Sequence, residues 1–131
     1  MKTLIVEDDF ASRLLLQEIL QGYGATHIAV NGLEAVEAAR TALDAGEPYD
    51  LICLDIMMPQ MGGQEALRKI RELEDARGIF STDGAKILMA TAMGDWKNVD
   101  AAFGGLCDDY LVKPIRKDKL LAALRKAGLV K

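Results

Sequence analysis

The 131-residue sequence has little of what several common protein classes require. It contains two cysteines, Cys53 and Cys107, which lack the spacing of a metal site. Cys53 lies inside an apolar run, so we predict a small buried hydrophobe in a cytosolic protein. A catalytic thiol would need a nearby base, and the sequence gives no sign that the single histidine, His27, is one. Cysteine-based catalysis is therefore not expected.

Long hydrophobic runs and an excess of positive charge are also missing. No apolar stretch approaches the ~20 residues of a membrane span, and residues 1–6 are too short for a signal peptide and fit a first strand. The net charge of −4 disfavours a nucleic-acid-binding protein, which usually carries a basic patch. Basic residues near the C-terminus are interpreted as a solvated helix face. We expect a cytoplasmic protein without membrane or direct DNA contacts.

The residues that are present predict one α/β domain over residues 1–131. Half of them are apolar and 27% are charged, which is ordinary for a globular domain of this length. Five short apolar runs alternate with stretches of helical period, which predicts a mainly parallel sheet covered on both faces. The five runs are residues 3–6, 27–30, 51–54, 87–90 and 110–112. Right-handed crossovers favour a flavodoxin-like, doubly wound (βα)5 fold with strand order 2-1-3-4-5.

Five helices are predicted between and after these strands. Asn31, with Glu34 three residues later, is a plausible N-cap for the second, and Gly128 ends the fifth. The helices are expected at about residues 10–23, 32–43, from 63, 96–103 and from 117. The long polar connection over residues 77–85 is either a functional surface loop or a tolerated insertion, and we favour the insertion.

Polar residues follow the strands of this predicted sheet. The second run ends on an Asn-Gly turn, whereas the other four end on Glu7-Asp8-Asp9, Asp55, Thr91 and Lys113-Pro114. Ligands bind outside the carboxyl ends of the strands in an open parallel sheet, so these side chains should converge at one edge. Such a set can hold a divalent cation, accept a phosphoryl group and neutralise its charge.

The carboxylates among these residues suit Mg²⁺. Without a cation, Glu7, Asp8 and Asp55 would repel one another, and at least one pKa should rise. The simpler alternative is that Asp8 and Asp9 only cap the first helix, and Asp9 is expected to do only that.

Asp55 is the candidate nucleophile, because a carboxylate directly after a buried strand can attack phosphorus and form an aspartyl-phosphate. Thr91 can donate its hydroxyl to a phosphoryl oxygen, and Lys113 can pair with another. Taken singly, Thr91 could be an ordinary β-branched strand residue and Lys113 a solvated strand end. Their agreement at four strand ends favours phosphoryl transfer.

Four stretches together resemble the receiver domain of two-component response regulators. They are VEDD at residues 6–9, LDIMMPQMGG at 54–63, ATA at 90–92 and DYLVKP at 109–114. The resemblance covers nearly the whole chain. The pattern Asp-x3-Pro-x2-Gly-Gly combined with Lys-Pro is highly specific.

The resemblance implies a role for each matching residue. Asp55 would accept phosphate from a phosphohistidine of a sensor kinase and would share Mg²⁺ with three other residues. Asp8 would be a direct ligand, Glu7 would bind through water, and Met57 would offer its backbone carbonyl. Thr91 and Tyr110 correspond to the family's switch pair, and Lys113-Pro114 corresponds to its cis peptide bond.

The sequence departs from the family's commonest pattern at a few positions. The first acid is Glu7, and Leu106 stands where a glycine is usual before the fifth strand. Met57 and Met93, two residues beyond Asp55 and Thr91, flank the phosphoryl position in this family. Their apolar side chains cannot orient an attacking water, so we predict slow self-dephosphorylation.

The resemblance also implies how phosphorylation changes the surface. Thr91 would move to bond the phosphoryl group, and the Tyr110 ring would turn inward. The surface of the fourth helix, fifth strand and fifth helix would then repack, although Tyr110 could also be a plain strand aromatic. Trp96 could contact a partner on that face, but a packing role is equally compatible with its position.

We therefore predict a stand-alone phosphoacceptor switch that catalyses only its own phosphorylation and dephosphorylation. Its partners would be a sensor histidine kinase or histidine phosphotransfer protein and a downstream protein, reached by contact or by onward transfer. One alternative is a haloacid-dehalogenase-like Mg²⁺-dependent phosphohydrolase, but Met57 occupies the position of that family's second acid. A flavodoxin-like cofactor binder lacks its Gly-rich loop here. The other alternative is a phosphorylation-independent pseudo-receiver scaffold, which the complete acid set disfavours.

Overall fold

The computed structural model describes residues 1–58, 60–80, 83–92 and 106–131. Within them the chain forms a five-stranded sheet and four α-helices, and a short 3-10 turn (Gln21–Tyr23) follows the first helix. The elements are β1 (Thr3–Val6), α1 (Phe10–Leu20), β2 (Thr26–Ala29), α2 (Gly32–Asp44), β3 (Leu51–Asp55), α3 (Gly63–Ala76), β4 (Lys86–Thr91), β5 (Asp109–Val112) and α4 (Lys117–Lys126). The helix predicted at about residues 96–103, with Trp96 and Met93, lies outside the described residues.

All neighbouring strands are parallel, and their order is β2-β1-β3-β4-β5. This confirms the predicted flavodoxin-like topology. Val6 is paired with Ala29 on one side and Leu54 on the other, while Thr91 is paired with Val112. The register therefore brings the carboxyl ends of the strands to one edge of the sheet.

Apolar side chains cover both faces of the sheet, which explains why the strands are continuous apolar runs rather than alternating ones. Successive strand residues point to opposite faces. One cluster joins alternate strand residues such as Leu4, Ile52 and Ile87 to residues of α2 and α3. The other cluster joins the intervening strand residues to α1 and α4. The core is thus two layers, one on each side of the sheet.

Two helices begin at the side chains predicted to cap them. The Asp9 carboxylate accepts a hydrogen bond from the Ser12 N–H at 2.9 Å. The side-chain oxygen of Asn31, Oδ1, accepts one from the Glu34 N–H at 2.9 Å. Glu34 Oε1 in turn accepts from the N–H of Val30 at 3.1 Å. These bonds satisfy backbone donors that have no partner within the helix. The prediction that Asp9 caps α1 is confirmed.

Helix α3 begins directly against the end of β3, and Gly63 makes this approach feasible. A Cβ on Gly63 would lie 2.3 Å from the carbonyl oxygen of Asp55 and 2.8 Å from the Cα of Ile56. The Gly63 N–H also donates to the Ile56 carbonyl at 2.9 Å. The second glycine of the Gly-Gly pair therefore fixes how closely the loop after Asp55 folds back.

A buried ionic cluster lies where α3 meets the start of β4 and the segment before β5. Arg71 and Glu74 are 6% and 3% exposed, and their side chains form an ion pair at 2.7 Å. Arg71 also pairs with Asp108 at 3.2 Å. This cluster was not predicted from the sequence, although Arg71 and Glu74 continue the helical spacing of the buried Leu67 and Ile70. That continuation was the available signal.

Candidate functional site

The predicted site residues gather at the carboxyl edge of the sheet. Glu7 directly follows β1, Asp55 ends β3, Thr91 ends β4, and Lys113 directly follows β5. Glu7, Asp55 and Thr91 are 1%, 4% and 2% exposed. Because water is largely excluded from these side chains, the charged groups of Glu7 and Asp55 interact strongly with each other.

Lys113 links the two buried acids. Its Nζ donates to Glu7 Oε1 at 3.1 Å and lies 3.0 Å from Glu7 Oε2 and 3.1 Å from Asp55 Oδ2. The other Asp55 oxygen, Oδ1, accepts a long hydrogen bond from the Met57 N–H at 3.4 Å. The Asp55 carboxylate is therefore held from both sides.

The protonation of Glu7 and Lys113 is shifted by this environment. Burial raises the pKa of Glu7 from 4.5 to about 7; Lys113 opposes the shift, and the nearby Asp55 adds to it. Burial lowers the pKa of Lys113, but its bonds to Glu7 and Asp55 outweigh that effect and leave the pKa above its ordinary value. Lys113 is consequently a permanent cation at neutral pH, and it compensates for only part of the local negative charge.

The acidic residues fit a magnesium site. Glu7, Asp8 and Asp55 each offer a carboxylate oxygen, and the three oxygens lie within 4.8 Å of one another. Glu7 Oε2 is buried and, in the described part of the chain, accepts no hydrogen bond of normal geometry. A hard cation with oxygen ligands would bind this oxygen and offset both the burial and the nearby Asp55 charge that raise the pKa of Glu7. Asp8, which is exposed, provides the side open to solvent.

Thr91 and Tyr110 lie on neighbouring strands, as the switch prediction requires. Met89 on β4 is paired with Tyr110 on β5, so Thr91 is two residues beyond Tyr110's partner. Thr91 Oγ1 donates a weak hydrogen bond to the carbonyl of Ala92 at 3.3 Å. Tyr110 is half-buried and packs on the core together with Leu106 and Cys107.

Several remaining predictions concern single positions. The Lys113–Pro114 peptide bond is cis. Residue 57 is a methionine and is 74% exposed. The second acid that a haloacid-dehalogenase-like phosphohydrolase needs two residues after its nucleophile is therefore missing at this position. Burial raises the pKa of Cys53 to about 12, which makes it an unreactive thiol. None of the helices within the described ranges has the length and apolar character of a membrane span.

Comparison with known proteins agrees with the geometry. Residues 3–125 match the model of the response regulator receiver domain. The chain is 34% identical to the chemotaxis protein CheY of Bacillus subtilis over an alignment of 130 positions that covers 95% of each chain.

Two solved structures are also similar. One is the receiver domain of sensor histidine kinase PA1611 from Pseudomonas aeruginosa, with a magnesium ion coordinated in its active site cleft (27% identity, TM-score 0.75, 97% of both chains). The other is the Saccharomyces cerevisiae co-crystal of the phosphotransfer protein Ypd1 and the receiver domain of its downstream response regulator Ssk1 (28% identity, TM-score 0.79, 98% of this chain and 88% of that chain). With a family match over nearly its whole length and a site of the corresponding residues, this chain belongs to the response regulator receiver domain family.

Proposed function

We propose that Asp55 is the phosphoacceptor of a two-component signalling switch. The observation that carries this proposal is the contact of Lys113 Nζ with both Asp55 and Glu7 at the carboxyl edge, where Thr91 also ends its strand. A buried nucleophilic carboxylate, a fixed cation and a hydroxyl donor are the groups that phosphoryl transfer requires from a protein.

The transfer is a displacement at phosphorus. An Asp55 oxygen forms a bond to the phosphorus atom of phosphohistidine, and the phosphorus–nitrogen bond breaks. The electron pair of that bond leaves with the imidazole. Lys113 then pairs with a phosphoryl oxygen, and Thr91 donates its hydroxyl to another.

A Mg²⁺ ion would be held by Glu7, Asp8 and Asp55, and we propose the Met57 carbonyl as a further ligand. When bound, the ion would neutralise negative charge on the phosphoryl oxygens. Support for the ion comes from the cluster of three carboxylates and from the buried Glu7 Oε2, which has the Lys113 ammonium 3.0 Å away but accepts no hydrogen bond of normal geometry from the described residues. Lys113 alone supplies one positive charge against three carboxylates, which leaves room for a divalent cation.

We propose that the phosphoryl donor is a sensor histidine kinase or a histidine phosphotransfer protein. The Ypd1–Ssk1 co-crystal supports this partner class, because its receiver is similar to this chain. The output is a downstream protein reached through the surface around β5 and α4, or a second histidine protein that receives the phosphoryl group. We further propose a cytoplasmic location; the unpaired thiols of Cys53 and Cys107 are compatible with a reducing compartment.

Intact-mass measurement after incubation with acetyl phosphate and Mg²⁺ tests the proposal. The parent protein should gain one phosphoryl mass, whereas Asp55→Asn and the parent with excess EDTA should not. Equal labelling of parent and Asp55→Asn would refute the role of Asp55. Turnover of a simple phosphomonoester would instead support the phosphohydrolase.

A further inference from the structure

Arg71 connects three separate segments of the chain. Its guanidinium group donates to Glu74 Oε1 at 2.7 Å, within its own helix. It also donates to the carbonyl of Ala85, just before β4, at 2.9 Å. Two further bonds reach the segment before β5, to the carbonyl of Leu106 at 2.8 Å and to Asp108 Oδ2 at 3.2 Å.

The segment before β5 is therefore held at two points. Asp108 Oδ2 also accepts from the Ile87 N–H at 2.8 Å, and the Asp108 N–H donates to the Ile87 carbonyl at 2.8 Å. Residues 106 and 108 are thereby tied to α3 and to β4. The backbone of Leu106 lies outside the left-handed region that would favour glycine. Among the described non-glycine residues, only Gln60 has a positive φ.

Tyr110 lies two residues after this tied segment. Leu106, Cys107 and Tyr110 pack on the same core cluster, and a side-chain hydrogen bond with Tyr110 opposes the rise that burial causes in the pKa of Cys107. The backbone that carries the Tyr110 ring is thus anchored two and four residues earlier by a buried arginine. Asp55 lies at the carboxyl ends of the strands, whereas the bonds of Arg71 and Asp108 lie at the amino ends of β4 and β5. Arg71 and Asp108 therefore contact none of the reacting groups.

We propose that Arg71 and Asp108 are positioning residues for Tyr110, which hold its ring in one arrangement until Asp55 is phosphorylated. The part concerning phosphorylation rests on the proposed function, whereas the resting arrangement of the ring does not. Loss of the anchor should let the ring exchange between arrangements without phosphorylation.

Two variants separate this role from a general contribution to stability. Asp108→Ala removes one acceptor of Arg71 and the side-chain acceptor of the Ile87 N–H, and so loosens the segment before β5. Glu74→Gln removes a charge from the same buried cluster but leaves the bonds from Arg71 to Leu106 and Asp108. Both variants should lower the melting temperature, yet only Asp108→Ala should change Tyr110.

The measurement is fluorine NMR of protein labelled with fluorotyrosine, with the Tyr110 signal assigned through Tyr110→Phe. In unphosphorylated Asp108→Ala the Tyr110 signal should broaden or split, whereas the Tyr23 signal stays unchanged. Glu74→Gln should leave the Tyr110 signal as in the parent, and Asp108→Asn, which keeps an acceptor, should restore most of the parent signal. If Asp108→Ala does not fold, Asp108→Asn takes its place as the test variant, and its Tyr110 signal should broaden or split to a smaller extent.

An unmoved Tyr110 signal in both Asp108 variants, or the same change in Glu74→Gln, would overturn the inference. Intact mass after acetyl phosphate treatment is recorded on the same samples. A parent that takes no phosphoryl group would contradict the proposed function, while the resting Tyr110 signal would still decide the role of Arg71 and Asp108.

Discussion

At the scale of single residues, Glu7 shows how the site is balanced without a metal. Its carboxyl group is 1% exposed and shares one lysine with Asp55, so burial raises its pKa to about 7. The folded protein therefore keeps a proton on Glu7 at pH values where the unfolded chain has lost it. Whenever the folded state binds more protons, stability falls as the pH rises.

The stability of the metal-free protein should accordingly decrease between pH 4.5 and about 7 through Glu7. The decrease corresponds to roughly 3 kcal/mol, because each pKa unit is worth about 1.4 kcal/mol. Urea unfolding in EDTA, measured for the parent and for Glu7→Gln at several pH values, isolates this contribution as the difference between the two proteins. Mg²⁺ should offset the loss above pH 7 in the parent only. A constant difference across this pH range would contradict the assignment.

We expect Met57 to lengthen the lifetime of the phosphoryl group. Its side chain is 74% exposed beside Asp55 and has no group that could orient water. Met57→Asn should shorten the phosphoryl half-life roughly tenfold. This is less than the ~10²–10⁴-fold rate increase that a full general base supplies, because an amide can only orient the water. Met57→Leu is the matched control and should leave the half-life unchanged. Decay is followed by intact mass; a half-life of seconds in the parent would contradict the prediction, as would equal decay in both variants.

At the scale of elements, the junction of β3 and α3 positions the Asp55 carboxylate. Strand β3 is fully buried up to Asp55, and α3 starts at Gly63, where a Cβ would collide with the backbone of residues 55 and 56. The intervening loop must fold back tightly. The site therefore depends on a backbone contact that any side chain at residue 63 would disturb.

Gly63→Ala should destabilise the protein by about 1–3 kcal/mol, as overpacking a filled space does. The adjacent Gly62→Ala is the matched control, because its Cβ would meet its nearest neighbour at 3.4 Å and its backbone (φ −70°, ψ 166°) suits alanine. Thermal unfolding of both variants, with phosphorylation of Asp55 by acetyl phosphate as a second readout, checks this. Equal stability of the two variants would show that the contact at Gly63 is unimportant.

At the scale of the whole molecule, phosphorylation at one edge must change a surface elsewhere. A phosphoryl group adds about −1.5 to −2 charge and three acceptor oxygens next to Thr91. Thr91 Oγ1 makes only a 3.3 Å bond to its neighbour, so it is available to a stronger acceptor. Movement of Thr91 would act on β5 through the β4–β5 pairing.

Phosphorylated parent protein should therefore show altered amide hydrogen exchange in β5 and α4, measured by mass spectrometry. Thr91→Ala should still be phosphorylated but should lose most of this change, because it has no hydroxyl to donate. Strand β2, at the far edge of the sheet, is an internal control. If phosphorylated Thr91→Ala changes as much as the parent, Thr91 is not the link between the site and the surface.

The fold could be predicted from the sequence because the signals that specify it are either local patterns or rules that hold for all α/β folds. Strand runs, the caps at Asp9 and Asn31, and the handedness of crossovers determine order and topology without knowledge of side-chain contacts. The polar ends of the runs identified Glu7, Asp55, Thr91 and Lys113, since parallel strands deliver their carboxyl ends to one edge.

What only the tertiary structure decided involves residues far apart in the chain. Lys113 contacts Glu7, which is 106 positions away in the sequence. The burial of Glu7 raises the pKa of its carboxyl group, and the contact with Lys113 opposes that rise. Arg71 binds Asp108, 37 positions away, a contact that the sequence did not predict. Charge balance and buried polar bonding depend on which distant groups share a water-poor space, and local pattern carries no record of that. The sequence by itself predicted the element order and the polar residues that gather at the carboxyl ends of the strands, whereas tertiary packing decided the protonation of Glu7 and Lys113 and the anchoring of Tyr110.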